Sequence, residues 1–321
     1  MATGSTHIEP DISDADSSYP SSEGAYTKSV TSSALNYRYE NGRRYHSYHE
    51  GEYVLPNDEQ EQERLDLSHH IYLLLLGGEL FKAPIQEPRR ILDLGTGTGL
   101  WAMDFADEHP ETEVIGIDLS PIQPSWVPPN CRFEVDDFEQ PWAYGQPFDY
   151  IHGRELEGSI RDHDNLFQQT FDNLSPGGWF EMATIAVDTN SDDGTHLKAT
   201  YLLESVKNMH AASKSFGKDM TSVCTWKERY EKIGFVNIKE DIVKLPQSPW
   251  AKDPKLKELG RYHQLNMLEA MPPYTFALFT RQLDWKRAEI EVLVAGVRRE
   301  LKDLSNHLYT KVYTVYGQKP S

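Results

Sequence analysis

The sequence predicts an α/β fold, a doubly wound, Rossmann-like sheet that ends in an antiparallel strand. A glycine-rich loop, residues 95–99, directly follows a short apolar run, and a second apolar run, residues 114–117, ends on Asp118 about 20 residues further on. Apolar runs without alternation are typical of parallel strands that helices cover on both faces. The final segment, residues 309–315, instead alternates between Tyr or Val and Lys or Thr, which is typical of a closing antiparallel strand.

Composition sets the outer limits on fold and function. A chain of 321 residues with 38% hydrophobic residues can bury one large core, with or without a cap, and it contains no stretch of the ~20 apolar residues that a membrane span needs. The net charge of -18 argues against nucleic acids and membranes as binding partners. Cys131 and Cys224 lie in no metal-binding spacing and the N-terminus lacks an apolar signal segment, so we expect a reducing compartment, cytoplasmic and/or nuclear, with no disulfide and no metal site.

The first 56 residues divide into two segments of different composition. Residues 1–35 are rich in Ser, Thr, Asp, Glu and Gly, so we expect a disordered tail; a phosphorylatable or partner-binding arm is the alternative. Residues 36–56 carry many tyrosines, histidines and arginines, which is too aromatic for a linker. Two interpretations remain open for them: a flap that only covers the core, or a lid whose Tyr45 and His46 reach the bound cofactor.

A helix is predicted over residues 57–78, which begin with acidic residues and end on a glycine pair. Its buried side is expected to consist of five residues, Leu65, Ile71, Tyr72, Leu75 and Leu76. His69 and His70 are adjacent and point in different directions, which is poor geometry for a shared metal ion, so a packed or hydrogen-bonded state is expected for both. We therefore expect a lid and helix over residues 36–88 and the remaining domain over residues 89–321.

The stretch ILDLGTGTGLW, residues 91–101, reads as a buried strand, a tight loop and the start of a helix near Leu100. Its glycines let the backbone turn sharply and approach a ligand at the N-terminus of that helix. In the dinucleotide-binding fingerprint, G-x-G-x-x-G, the third glycine would fall at Leu100 rather than Gly99. The spacing therefore disfavours a nicotinamide dinucleotide as the ligand.

Instead, Asp93 and the loop resemble the D-x-G-x-G-x-G signature of class I S-adenosylmethionine-dependent methyltransferases. By this resemblance Asp93 lies under the loop near the methionine end of the cofactor, and Asp118, followed by Leu119, holds the ribose. The resemblance implies that four loop residues border the methionine and ribose, Gly95, Thr96, Gly97 and Gly99. A carboxylate at the end of the second strand can accept hydrogen bonds from both ribose hydroxyls, which agrees with the role implied for Asp118.

Two further strands are predicted to end in polar side chains at the same edge of the sheet. Residues 132–135 lead into Asp136, Asp137 and Phe138, where a carboxylate can accept a hydrogen bond from the adenine amino group and the aromatic ring can lie against the base; an Asp pair that caps a helix is the alternative. Residues 148–151 run into a loop that faces the transferred methyl group.

That loop contains the residues predicted to act at the reaction centre. His152 is the first candidate for assisting proton removal, because the ordinary pKa of histidine lies near neutrality. Arg154 can bind a carboxylate of the substrate or of the cofactor through paired hydrogen bonds. In the alternative interpretation, Arg154, Glu155 and Glu157 only pair with each other at the surface.

The C-terminal half departs from the minimal pattern of alternating strands and helices. After a helix over residues 162–174 and a strand over 179–186, we expect a helical insertion near residues 190–220 and a second insertion over 247–283. The two insertions are interpreted as a helical cap. A cap of this kind excludes water and selects the methyl acceptor without identifying it.

Longer blocks of sequence resemble the fungal LaeA-like methyltransferases over roughly residues 36–318. The blocks include RRYHSYHEGEYVLPNDEQEQERLDLSHH, RRILDLGTGTGLWAMDFAD, VIGIDLSPIQPSWVPPNCRFEVDDFEQPW and PWAKDPKLKELGRYHQLNMLEA. This resemblance implies S-adenosylmethionine binding and a role in governing secondary metabolism and development, in part through complexes with velvet proteins. Other members of the family resemble tailoring enzymes for small molecules or protein methyltransferases.

Two hypotheses of function follow from these observations. The first is an enzyme that transfers the sulfonium methyl group of S-adenosylmethionine to a small-molecule or protein acceptor. The second is a regulatory scaffold that binds the cofactor and acts through velvet-type partners with little or no turnover. The motif residues favour cofactor binding in both cases, so they do not separate the two hypotheses.

Overall fold

The protein is described from a computed structural model that covers residues 37–40, 42–45 and 55–321. The predicted tail, residues 1–35, lies outside the described residues, as does most of the predicted lid. The described elements, in chain order, are β1 (Arg38–Glu40), β2 (Arg43–Tyr45), α1 (Glu59–Leu76), β3 (Arg90–Leu94), α2 (Leu100–Glu108), β4 (Glu113–Asp118), β5 (Cys131–Val135), β6 (Phe148–Arg154), α3 (His163–Asn173), β7 (Leu174–Ile185), α4 (Thr200–Phe216), α5 (Trp226–Ile233), β8 (Val236–Pro246), α6 (Pro254–Gln282), α7 (Arg287–Lys302) and β9 (Tyr309–Gln318).

Seven of these strands form one mixed sheet in the order β5-β4-β3-β6-β7-β9-β8. Strands β3 to β7 pair in parallel, whereas β9 runs antiparallel to both of its neighbours, β7 and β8. The chain winds outward from β3 in both directions, so the carboxyl ends of β3 and β6 flank a switch point where ligands bind in doubly wound sheets. The predicted fold class is confirmed, and the final antiparallel strand lies inside the sheet rather than at its edge.

The two faces of the sheet are covered by different helices, as the apolar character of β3 predicts. Ile91 packs with Trp101 and Phe105 of α2 on one face. Leu92 belongs to the cluster on the other face, which contains Phe167 of α3. Because both sides of β3 are buried, its apolar residues need not alternate with polar ones.

Strand β6, which the sequence predicts to end at residue 151, is longer than expected. Hydrogen-bonded pairing continues through His152 to Arg154, which lies opposite Ala183 of β7. The expectation that His152 and Arg154 occupy a loop is therefore wrong. Polar residues after an apolar run indicate the end of a strand, but the interior of a doubly wound sheet also accommodates polar side chains when they have buried partners.

Helix α1 lies across the carboxyl end of the sheet, and its buried face is more polar than predicted. Ile71 and Tyr72 are buried as expected, whereas Leu65, Leu75 and Leu76 are only partly buried. The buried residues also include four polar ones, Glu61, Arg64, Ser68 and His69. Two of them have partners on other elements: Arg64 donates to Asn266 of α6, and His69 contacts Asp104 of α2 and Arg154 of β6.

The helices of the two predicted insertions, α4 and α6, pack with α7 around a separate apolar cluster. Helix α6 is 29 residues long and contains Pro272 and Pro273 in its interior, where neither ring nitrogen can donate a backbone hydrogen bond. Asp253 caps its N-terminus by accepting from the Leu256 amide at 3.0 Å. Within the described part of the chain, no helix is both long enough and apolar enough to cross a membrane.

Candidate active site

The glycine loop connects β3 to α2 through three residues with positive φ angles. At Gly97 (φ +59°) an added Cβ would meet only the Leu65 side chain, at 3.5 Å, so this position faces an open cleft. At Gly99 (φ +83°) an added Cβ would lie 2.4 Å from the Phe133 ring. Gly97 therefore borders space for a ligand, whereas Gly99 allows close packing between the loop and β5.

A cleft of about 90 Å³ lies above the loop at the carboxyl ends of β3, β4 and β5. Its walls include six residues that the sequence predicts for the cofactor, Gly95, Gly97, Asp118, Leu119, Asp137 and Phe138. The opposite wall comes from residues before and within α1, among them Asn57 and Arg64. Three neighbouring strand ends and one covering helix thus enclose this cleft.

Asp118, at the end of β4, presents a carboxylate to the cleft in a fixed orientation. Its Oδ2 accepts from the Gly97 amide at 2.9 Å, and its Oδ1 accepts from the Ser120 amide at 2.8 Å. Burial raises the pKa of this carboxyl to about 6. A carboxylate has roughly four acceptor positions, so each oxygen can still accept one further hydrogen bond. The site therefore fits a ligand with two adjacent hydroxyls, such as a ribose.

The two aspartates after β5 differ in position. Asp137 is buried and lines the cleft, with its Oδ1 accepting from the Glu139 amide at 2.9 Å. Asp136 is exposed, and its Oδ1 accepts from the Asp137 amide at 2.8 Å. Phe138 is buried beside Asp137 at the same end of the cleft. Of the pair, only Asp137 is positioned to contact a base held against Phe138.

Beneath the loop, Asp93 and His152 form a buried pair between neighbouring strands. The His152 Nδ1 lies 2.7 Å from Asp93 Oδ1, and its ring stacks on Trp101 with 3.7 Å between the centroids. The other Asp93 oxygen accepts from the Thr96 hydroxyl at 2.6 Å. Burial lowers the pKa of His152 below its ordinary value. Asp93 is thereby held by partners from β6 and from the loop, which fixes the floor of the site.

Arg154 connects α1 to the end of β6. Its guanidinium donates to His69 Nδ1 at 2.8 Å, and His69 Nε2 lies 2.8 Å from Asp104 Oδ2. The arginine also lies over the Tyr72 ring, 4.7 Å from its centroid. Because His69 Nδ1 accepts from a cation, its Nε2 carries the proton that is donated to Asp104. Arg154 therefore presents a positive charge beside the glycine loop in a position fixed from one side.

Glu155 stands where three cavities meet. It lines the cleft, a smaller cavity of about 60 Å³ beside Asp93 and His152, and a third cavity described below. Its φ of +58° is unusual for a residue with a side chain, and backbone strain of this kind concentrates at functional sites. The Tyr72 hydroxyl and the Ile185 amide both donate to its Oε1.

The third cavity, which we call the acceptor chamber, has a volume of about 110 Å³. It lies between the carboxyl ends of β6 and β7 and the cap helices, and it shares Arg64, Glu155 and Tyr274 with the cleft. Four methionines contribute to its walls, Met209, Met220, Met267 and Met271. The cleft and the chamber are therefore adjacent and have walls in common.

The predicted lid is only partly described. Tyr45 is buried, and Arg281 of α6 lies 5.6 Å from its ring centroid, but Tyr45 is not among the residues that line the cleft. His46 lies outside the described residues. Leu55, near the end of the segment, and Asn57, directly after it, do line the cleft. Contact of Tyr45 and His46 with the cofactor stays a prediction.

Several site residues were missed at the level of sequence. Polar residues recur on one face of α1 at helical spacing, Glu61, Arg64 and Ser68, and this stripe is a signal for a helix that covers a polar cleft. His263 and Gln247 of the chamber carry no such signal. They reach the chamber only through the packing of the cap on the sheet.

Comparison with known proteins places this chain among methyltransferases. The sequence profile of a methyltransferase domain family matches residues 61–240. The methyltransferase pytC of Aspergillus terreus is 41% identical over 295 residues, which are 91% of each chain. The secondary metabolism regulator LAE1 of Cochliobolus heterostrophus is 36% identical over 88% of this chain and 94% of its own. The protein-methionine methyltransferase laeA of Emericella nidulans is 36% identical over 88% of this chain and 76% of its own.

The matches to these relatives cover 88–91% of this chain. The cofactor of the family is S-adenosylmethionine, and the open position at Gly97 and the remaining acceptor capacity of Asp118 fit its ribose and methionine portions. The chain belongs to the LaeA-like family of S-adenosylmethionine-dependent methyltransferases.

Proposed function

We propose that this protein is an active methyltransferase that transfers the methyl group of S-adenosylmethionine to a small molecule bound in the acceptor chamber. One observation carries the proposal: the chamber and the cofactor cleft have Arg64, Glu155 and Tyr274 as common walls. A ligand in the chamber would therefore lie next to the methionine end of a cofactor in the cleft.

Different residues of the cleft would bind different parts of the cofactor. Asp118 would accept from the ribose hydroxyls, and Asp137 with Phe138 would hold the adenine. Arg154 would bind the methionine carboxylate, because it is a cation beside the glycine loop that His69 and Tyr72 fix in orientation. His152 would act by holding Asp93, since it lines the cavity next to Asp93 rather than the chamber. Proton removal by His152 stays a prediction.

When bound, S-adenosylmethionine supplies a methyl group on a positively charged sulfur; a lone pair of the acceptor forms the new bond to carbon as the carbon–sulfur electron pair returns to sulfur. The chain contributes position and exclusion of water. The covering helix α1 and the cap hold the two ligands in adjacent cavities, and positioning of this kind can supply most of the rate enhancement. The acceptor's proton, where it has one, leaves through the polar groups of the chamber or through water.

The proposal is tested by turnover of methyl-labelled S-adenosylmethionine against small-molecule extracts and against proteins from the same cells. We expect label in a small molecule and loss of that label with Asp118→Ala. Label that appears only in protein would contradict the small-molecule acceptor, and binding of the cofactor without any transfer would contradict enzymatic activity.

A second candidate is a cofactor-binding regulator that acts through protein partners. It is supported by the 36% identity to LAE1, a secondary metabolism regulator that this chain matches over 94% of its length. Velvet-type proteins are the partner class that we propose to test, with the cytoplasm and nucleus as the expected locations. Co-purification of such a partner with wild-type protein and with the Asp118→Ala variant would separate partner binding from methyl transfer.

A further inference from the structure

His263 of α6 is a buried histidine in the wall of the acceptor chamber. It is 3% exposed, and neither ring nitrogen has a hydrogen-bond partner among the described residues. Burial alone lowers its pKa to about 3, since no charged group is close enough to offset the loss of hydration. The ring is therefore neutral near pH 7 and offers one donor and one acceptor. A buried polar group without a partner is costly, so its retention needs an explanation.

The charged groups of the chamber are already engaged or neutralised. Arg64 donates to Glu61 at 2.6 and 3.0 Å and to the Asn266 side chain at 3.0 Å. Burial raises the pKa of Glu157 to about 8, so this carboxyl is mostly protonated at neutral pH. The third charged residue of the wall, Glu155, accepts hydrogen bonds at its Oε1 from the Tyr72 hydroxyl and the Ile185 amide, and burial raises its pKa. Among its described residues the chamber therefore holds no charged group that is fully ionised and free of protein partners, which disfavours charged ligands.

The rest of the wall suits an apolar body of about one ring. Met209, Met267 and Met271 provide flexible thioether side chains, which adapt to flat ligands and pack well against aromatic rings. The chamber volume of about 110 Å³ is of the same order as the ~150 Å³ apolar cavity that holds a benzene molecule in a well-studied case, and the chamber adjoins the cleft through three residues that line both. One ring that reaches in from the direction of the cleft matches this space.

We infer that the chamber selects an uncharged, ring-bearing small molecule with a hydroxyl group that hydrogen-bonds to His263. A hydroxyl both donates and accepts, so it satisfies a neutral imidazole that has no protein partner. Glu157 provides a second polar contact in the chamber wall, because its Oε2 also has no partner among the described residues while its Oε1 accepts from the Val223 amide at 2.7 Å. This inference rests on the proposed function and names the acceptor class for it.

The test uses the full-length protein loaded with S-adenosylhomocysteine and four single-ring probes. These are p-cresol, toluene, 4-methylbenzylamine and 4-methylbenzoate, which share a tolyl group and differ in one substituent. We expect p-cresol to bind at least about tenfold more tightly than toluene, measured by ligand-observed NMR, because a site built to bond a hydroxyl rejects the analogue that lacks it. The two charged probes are expected to bind more weakly than p-cresol.

Variants then assign the preference to His263. His263→Leu should bring the affinity for p-cresol down to that for toluene while leaving the affinity for S-adenosylhomocysteine unchanged; His263→Gln, which keeps a donor and an acceptor, should restore part of the preference. Thr310→Val is the matched control, because the Thr310 hydroxyl already donates to the Ala186 carbonyl. We expect this control to keep the preference for p-cresol.

Each of the other possible outcomes would contradict one specific claim. If the His263→Leu variant keeps the preference for p-cresol, and its melting temperature equals or exceeds that of wild type, the role of His263 is overturned. Strongest binding of 4-methylbenzylamine would overturn the uncharged class, and absence of binding by all four probes would overturn the ring-sized chamber. Failure of wild-type protein to bind S-adenosylhomocysteine would instead count against the proposed function itself.

Discussion

The cofactor cleft and the acceptor chamber share walls, but they differ in whether their polar side chains have hydrogen-bond partners within the protein. Asp118 in the cleft accepts from two backbone amides, and Asp93 beneath the glycine loop is held by His152 and Thr96. In the chamber, both nitrogens of His263 lack a partner among the described residues. The protein itself thus supplies hydrogen-bond partners for the aspartates of the first site, whereas His263 of the second site depends on a ligand for its partners.

This difference has consequences for substitution. A preorganised site loses affinity when one of its groups is removed, because the remaining groups were fixed for that ligand. An unpartnered buried group contributes nothing to stability and costs about 1–3 kcal/mol relative to a satisfied one. Changes in the cleft should therefore reduce cofactor binding sharply, whereas changes in the chamber should affect the acceptor and leave the cofactor in place.

The largest expected effect comes from filling the cleft. Gly97→Val should reduce cofactor affinity by about a hundredfold or more, because it places a β-branched side chain at a positive φ and pushes it toward the ligand. Calorimetric titration with S-adenosylmethionine measures the change. Gly145→Val is the control, since an added Cβ there meets nothing within 4 Å and the residue is exposed. Normal binding by the Gly97 variant would mean that the loop does not touch the ligand.

Asp118→Ala should have the next largest effect. Losing two charge-assisted hydrogen bonds, each worth about 1.5–3 kcal/mol, predicts at least a tenfold loss of affinity for S-adenosylmethionine. The exposed Asp136, one residue beyond the neighbouring strand, is the matched control, and Asp136→Ala should leave affinity unchanged. Equal losses in the two variants would remove the distinction between a cleft aspartate and a surface one.

The same carboxyl predicts a pH dependence of cofactor binding. The pKa of Asp118 is about 6 in the folded chain against an ordinary value of 3.8, so below pH 6 it is protonated and a poorer acceptor. Affinity should fall by about tenfold between pH 7.5 and pH 5, and Asp118→Asn should abolish this fall. The raised pKa also means that this group favours the folded state at low pH, and that its contribution is lost as the pH rises through 6. A flat affinity profile in wild-type protein would contradict the assignment.

The cleft can be predicted from the sequence more fully than the chamber. Asp93, the glycine loop and Asp118 lie within 26 residues of each other, and their order at the ends of β3 and β4 follows from the winding of the sheet. Local spacing therefore predicts this part of the cleft. Spacing does not distinguish Asp136 from Asp137, because only the direction of the chain after β5 decides which of two adjacent aspartates turns inward.

The chamber could not be predicted in this way. Its walls come from α1, the segment after β6, β7, α4, α6 and β9, which are far apart in the chain. The sequence identifies the two insertions as a cap but not which side chains they turn inward, because α6 continues through Pro272 and Pro273, where a helix would be expected to end. The hydrogen bond from Arg154 to His69 cannot be predicted from the sequence for the same reason, because it joins β6 to α1.

The smallest change in cofactor affinity concerns the N-terminal segment, whose interpretation is still open. Leu55 and Asn57 line the cleft, and Asn57 also donates to the Ser120 hydroxyl at 3.3 Å, so the segment before α1 leads directly into the wall of the site. If residues 36–56 form a lid, deletion through Pro56 should abolish methyl transfer and weaken cofactor binding by about fivefold, because closure over the ligands is lost while the sheet remains folded. Deletion of residues 1–35 is the control and should leave both properties unchanged. A flap that only covers the core predicts a lower melting temperature but cofactor affinity within about twofold of wild type. Calorimetry on the two truncated proteins decides between these interpretations, and it also shows whether the protein completes the cleft from the folded domain alone or requires the segment that precedes it.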